Sequence, residues 1–184
     1  MRLITPKQMM EIVLDSIREI IPYELAVVLK RINEDELKVI YHKGILVANE
    51  LAEYTLNLNY RKDLKNALEV GDVKLVNEDD EIHEDTYAEV IDLPEGHSCM
   101  LVPLKSNNEI IGLLTLDHRE CDIFTPQKVS IAKSLSKLIS LALAQSFENE
   151  NLQNTNEQLI TERNSLLNEI SIVNNNLVGN SDKW

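Results

Sequence analysis

The sequence predicts an α+β fold assembled from terminal helices and β-hairpins, followed by a helix that continues as a coiled coil. Three observations predict it. A capped amphipathic helix opens the chain, two hairpin patterns flank a mixed middle segment, and a long proline-free helical pattern with a seven-residue leucine ladder closes it.

In the first helix Thr5 is placed to N-cap, Pro6 suits the first helical position, and Gln8 completes a T-x-x-Q capping box. Met10, Val13, Leu14, Ile17, Ile20 and Ile21 recur at helical spacing, and Pro22 ends the helix by disfavouring helical geometry in the residue before it. Residues 24–32 and 36–42 read as strands joined by a turn at Asn33-Glu34-Asp35. Residues from about 47 to 69 read as helical, ending at Gly71, with a short strand over 73–76. The acidic run 77–85 reads as a loop or fraying helix, because like charges repel and little apolar surface is available. The second hairpin carries Met100, Val102 and Leu104 over 98–105, then Ile111, Leu113 and Leu116 over 109–117, joined through Ser106-Asn107-Asn108.

Thr125-Pro126 repeats the cap-plus-proline start. Up to about residue 144 the helix carries Ile131, Leu135, Leu138, Ile139, Ala142 and Leu143, as expected of a helix packed on a sheet. Beyond that it is polar, yet keeps Leu152, Leu159, Leu166 and Val173 seven residues apart, with Asn149, Asn156, Arg163 and Ile170 three residues before each. Asparagine at the a positions costs stability and favours a parallel, in-register dimer. A solvated single helix is the plain alternative, but a polar helix of this length gains too little alone to persist in water, so a homodimeric coiled coil is expected. Asn174-Asn175-Asn176 breaks the heptad and is expected to end the helix.

Composition narrows the function. The 184 residues carry 31 acidic and 18 basic side chains, a net charge of −13, which argues against direct contact with nucleic acid or an anionic membrane. A hydrophobic share of 43% is enough for a buried core. Cys99 and Cys121 cannot build a disulfide framework, and with no charged-then-apolar leader and no apolar run of roughly 18 residues the expectation is a cytoplasmic protein with no membrane contact. There is no Walker loop, G-x-G-x-x-G, H-E-x-x-H or G-x-S-x-G, and the five glycines argue against a phosphate cradle, so the chain is not expected to be an enzyme.

Chemistry concentrates around His97 and Cys99, whose i, i+2 spacing on a strand places both on one face. Together with Asp117 at the end of the partner strand, and with Asp85 and then Glu84 from the acidic run, they could present nitrogen, sulfur and oxygen to one ion, a donor set suited to iron or zinc. The competing reading is a small buried cysteine packed as an apolar residue beside a hydrogen-bonded histidine, and spacing alone favours it. A Cys99–His97 catalytic dyad and a second cluster at His118 and Cys121 have weaker support.

The order of elements, with Met100-Leu101-Val102-Pro103-Leu104 and Ile110-Ile111-Gly112-Leu113-Leu114-Thr115-Leu116-Asp117 in the second hairpin, resembles a GAF domain over roughly residues 6–146. The resemblance implies an antiparallel sheet of about six strands, with the N- and C-terminal helices on one face and a small-molecule or cofactor pocket on the other. Leu177-Val178-Gly179-Asn180-Ser181 is similar to the segment that opens the AAA+ ATPase domain of sigma-54-dependent, NifA-like transcriptional activators. On that likeness residues 1–146 form a GAF sensor domain, 147–176 a coiled-coil linker helix and 177–184 the start of a truncated AAA+ domain. The chain would then be a regulatory domain acting as a homodimer on its own AAA+ domain, and through it on sigma-54 RNA polymerase. A ligand-free dimerisation and repression scaffold is the alternative. Gly96-His97-Ser98-Cys99 is similar to the nitric-oxide-sensing members, which implies non-haem iron held by His97, Cys99, Asp117 and Asp85. Those sensors carry an arginine just before a Gly-Asp-Val turn; here Glu69 and Val70 precede Gly71-Asp72-Val73, and Arg61 is out of register.

Overall fold

The computed structural model describes residues 4–46, 48–76, 87, 90, 91, 93 and 97–181, with side chains described as far as residue 173. Two compact units divide the chain, Met1–Gln145 and Ser146–Trp184.

Helix α1 (Pro6–Ile20) starts on the expected box: Thr5 Oγ1 accepts from the Gln8 N–H at 3.2 Å, and Gln8 Oε1 accepts from the Thr5 N–H at 3.0 Å. Ile21 leaves the helix in an extended conformation, as the residue before a proline should. Met10, Val13, Leu14, Ile17 and Ile21 are buried, whereas Ile20, at the edge of the stripe, is half exposed. Strands β1 (Leu25–Arg31) and β2 (Glu36–Gly44) form the first hairpin, whose turn is held by Asn33 Oδ1 accepting from the Asp35 N–H at 2.9 Å.

The single helix expected over 47–69 is corrected to three elements. These are a short 3-10 helix (Asn49–Glu53), strand β3 (Thr55–Asn57) and helix α2 (Lys62–Val70). The weak periodicity yields here to pairing, because Leu56 sits opposite Leu37 on β2 and buries its side chain. Gly71 ends α2 in the left-handed region at φ 65°, donating its N–H to the Ala67 carbonyl at 2.9 Å. After β4 (Lys74–Val76) come β5 (Ser98–Ser106) and β6 (Glu109–His118). Asn107 and Asn108, at φ 49° and 69°, make the two-residue turn between them; both conformations are left-handed, and asparagine tolerates that region best after glycine.

The six strands lie in the order β3-β2-β1-β6-β5-β4, each antiparallel to its neighbour. The first and last strands of the domain therefore meet at the sheet centre, with Leu25 opposite Asp117 and Leu29 opposite Leu113. Alternation along β1 sends Leu25, Val27 and Leu29 into one core layer and Ala26 and Val28 toward the other face. The first layer is shared with Leu51, Leu56, Leu58, Leu64, Leu68, Tyr87, Ile91, Leu93, Cys99 and Leu101, so the 3-10 helix, α2 and the side chains of Tyr87, Ile91 and Leu93 cover it.

The helices from the two ends of the domain cover the opposite face. Tyr23 Oη donates to the Leu14 carbonyl at 3.1 Å, and the Lys105 N–H donates to Ser140 Oγ at 3.0 Å. Gly112 records how close α3 (Pro126–Ser181) comes: a Cβ there would lie 2.2 Å from the Leu29 carbonyl oxygen and 2.8 Å from Leu143 Cδ2. Ala132, Ser136, Ile139, Ser140 and Leu143 form the inner side of α3. Leu138, expected against the sheet, is instead 46% exposed, because it falls outside that i, i+4, i+7 stripe. The helix also runs through Asn174-Asn175-Asn176 to Ser181 and carries Gly179 within it, since asparagine costs only a few tenths of a kcal/mol or so inside a helix, one glycine costs about 1 kcal/mol, and no proline follows Pro126.

Within the second unit Leu152, Leu159, Leu166 and Val173 are 62%, 59%, 51% and 56% exposed on the single chain. Ile160, Leu167 and Ile170 widen the same stripe.

Candidate functional site

Strand pairing builds the site. Cys99 on β5 is directly opposite Asp117 on β6, with Leu25 of β1 on the far side of Asp117. Both side chains enter the first core layer, as does Thr115 two residues before Asp117. Thr115 Oγ1 donates to Asp117 Oδ2 at 3.3 Å and lies 2.9 Å from the Tyr87 hydroxyl. The Tyr87 ring meets Tyr54 edge-on, with centroids 5.9 Å apart. A polar chain of Tyr87, Thr115, Asp117 and Cys99 thus crosses an otherwise apolar layer, and all four residues are buried.

Burial pushes the Cys99 thiol up, and the Asp117 carboxylate pushes it further through its charge and a hydrogen bond from the thiol; Arg61 pulls weakly the other way. The Tyr87 hydroxyl is raised by the same two influences, burial first and the Asp117 charge second. A cation that acts on this thiol is Arg61, buried at the start of α2 and gripping Asp63 with two parallel bonds, Nε to Oδ1 at 3.0 Å and Nη2 to Oδ2 at 2.9 Å. Burial would raise the Asp63 carboxyl, but Arg61 outweighs it and holds the group below the usual carboxylate range.

Of the residues singled out from sequence, Cys99 and Asp117 are brought together as cross-strand partners. His97 is buried immediately before β5. Asp85 and Glu84 lie outside the described residues. Among the described residues no three His, Cys, Asp or Glu side chains converge to hold a metal ion. The donors in view therefore do not by themselves complete an iron site, and Asp85 is the sequence candidate for the remainder. His118 and Cys121 do not join this cluster: His118 Nδ1 accepts from the Glu120 N–H at 3.1 Å, and Cys121 is exposed.

Sequence reasoning missed Thr115, Tyr87 and the Arg61–Asp63 pair. Thr115 and Asp117 had a readable signal, two polar residues on the inward positions of an otherwise apolar strand. Arg61 had none, because its proximity to Cys99 depends on how α2 is laid over the sheet.

A curled antiparallel sheet with helices from both ends on one face, and a buried polar cluster on the other, defines the fold class. The sequence profile of the GAF domain matches residues 5–143, and the chain belongs to that family. Its likeness to solved structures is one of fold. The GAF domain of a two-component sensor histidine kinase from Bacillus halodurans is 14% identical, with 83% of this chain and 99% of that one covered and a TM-score of 0.63. The GAF domain from a phosphoenolpyruvate-protein phosphotransferase of Coxiella burnetii is 14% identical over 80% and 87% of the two chains, with a TM-score of 0.66. A type II free methionine-R-sulfoxide reductase from Thermoplasma acidophilum is 15% identical over 76% and 93%, with a TM-score of 0.60. No curated protein sequence matches the chain. GAF domains are signal-sensing, regulatory modules, although the fold also occurs in enzymes such as that reductase. Among the described residues no helix is long and apolar enough to cross a membrane.

Proposed function

We propose that the chain is the signal-sensing regulatory domain of a sigma-54-dependent transcriptional activator, acting as a homodimer whose coiled coil passes the signal to an AAA+ ATPase domain. The observation that carries the sensing role is the buried polar chain Cys99–Asp117–Thr115–Tyr87 inside an apolar layer. Burying a carboxylate, a thiol and two hydroxyls in an apolar layer costs desolvation free energy that their bonds to one another only offset in part, so keeping such a set on the ligand-facing side of a GAF sheet supports recognition. A ligand acts as a signal only if it binds two arrangements of the domain with different affinity. The coil reading is supported by the exposed ladder of Leu152, Leu159, Leu166 and Val173, apolar surface that a second copy would bury. Link to the ATPase rests on the Leu177-Val178-Gly179-Asn180-Ser181 likeness.

Non-haem iron is the cofactor this donor set would suit, with Cys99, Asp117 and His97 in the domain and Asp85 completing the set. Metal analysis of protein expressed anaerobically, followed by nitric oxide and EPR, tests it. Stoichiometric iron that is lost in Cys99→Ala and in Asp117→Ala is the expected result. A metal-free protein whose melting temperature no small ligand shifts would favour the ligand-free dimerisation and repression scaffold.

A further inference from the structure

On the opposite side of the sheet from the polar chain, a cleft of about 150 Å³ opens between the α2–β4 corner, strand β5 and helix α3. Lys105, Lys133 and Lys137 line it, against one acidic residue, Asp72. In a chain of net charge −13, three lysines converging on one small cleft make a local reversal of sign.

Two features favour a ligand over a chance cluster. Gly71 has no side chain where a Cβ would lie 2.6 Å from Lys105 Nζ, so the ammonium lies against the backbone at the C-terminal end of α2. That end carries partial negative charge, which favours the ammonium at the rim of the cleft, where Lys105 is exposed. The second feature is Ser140, which lines the cleft and is 4% exposed. Its hydroxyl accepts from the Lys105 N–H at 3.0 Å, and no acceptor among the described residues takes its own proton. Ser136, one turn earlier, donates normally to the Lys133 carbonyl at 2.9 Å. A hydroxyl proton with no protein acceptor among the described residues, in a lysine-lined cleft, is free to be given to an oxygen of a bound anion.

We propose that this cleft is a binding site for a phosphate group, free or carried by a small phosphate monoester. Lys105 and Lys137 supply charge and Ser140 a hydrogen bond. Asp72 is the internal competitor: it holds Lys133 at 2.6 Å, with both side chains more than half exposed, and such a pair is weak enough to open. A phosphate dianion takes Lys133 from it. The recognition uses side chains and not a glycine-rich loop, so it is compatible with the low glycine content.

The test titrates the full chain with inorganic phosphate and, separately, with glycerol phosphate, following the melting temperature against chloride at equal ionic strength. Saturable stabilisation by either phosphate compound beyond chloride is expected, and the tighter of the two identifies the free or the esterified form. Lys137→Gln and Lys133→Gln should each weaken it roughly tenfold, as loss of a charge-assisted bond does. Asp72→Asn should tighten it. All three positions are exposed enough for the variants to fold. Equal effects of phosphate and chloride, or a phosphate effect unchanged in all three variants, would overturn the proposal.

Discussion

Cys99 and Cys121 are the same chemical group in opposite settings. Cys99 is buried and its thiol is pushed up, first by burial and then by Asp117, while Cys121 is exposed. Since the thiolate is the reactive form, a thiol reagent at neutral pH should modify Cys121 alone in the native protein and both cysteines in denaturant. Rapid modification of two thiols in the native state would contradict the burial. The raised thiol also has a sign in the stability curve. A group whose folded value lies above its unfolded one contributes fully below the unfolded value, roughly 8.5 for cysteine, and loses that contribution as pH rises. Tyr87, raised by burial, and Tyr23, pushed up to about 12 mainly by burial, act in the same direction at higher pH. The melting temperature should therefore fall between about pH 8.5 and 10.5, and the fall should be smaller in Cys99→Ala. Tyr87→Phe removes the 2.9 Å contact with Thr115 and should cost about 1 kcal/mol in a denaturant titration.

Elements are held together by close approaches that single residues permit. Gly112 is the sharpest case, since a methyl group there would overlap the Leu29 carbonyl and crowd Leu143. Gly112→Ala should cost about 2–3 kcal/mol, seen as a drop in melting temperature of roughly 5 °C or more for a domain of this size. At α3 the question is what covers the ladder. Leu159→Asp with Leu166→Asp should shift the full chain toward monomer in sedimentation while leaving the melting of the Met1–Gln145 unit unchanged. Equal sedimentation of the variant and the parent would mean that the ladder does not hold two copies together.

For the whole molecule, sedimentation of residues 1–146 against the full chain measures the contribution of the helical unit to dimerisation, which should be weaker in the short form. Much of the architecture was legible in the sequence. The capping box at Thr5, the stop at Pro22, both hairpin turns and the glycine end of α2 are local chemistry, decided within a few residues. Asp117 was singled out from the sequence as a strand-end carboxylate, but the face that Thr115 and Asp117 share was not, because β6 is apolar and buried on both faces. What needed the tertiary structure was everything set by distant pairing. Thr55–Asn57 became a strand because β2 offered it an edge, not because of its own preference. Tyr87 and Arg61 joined the site because the covering segments lie over the sheet, and nothing local to either residue announces that. The lysine cleft is of the same kind, joining residues 71–73, 102–105 and 133–140 that no sequence pattern links. Period and capping act over a turn or a strand and can be read in one dimension. Register and the draping of one layer on another depend on contacts across the whole chain, and only the folded molecule decides them.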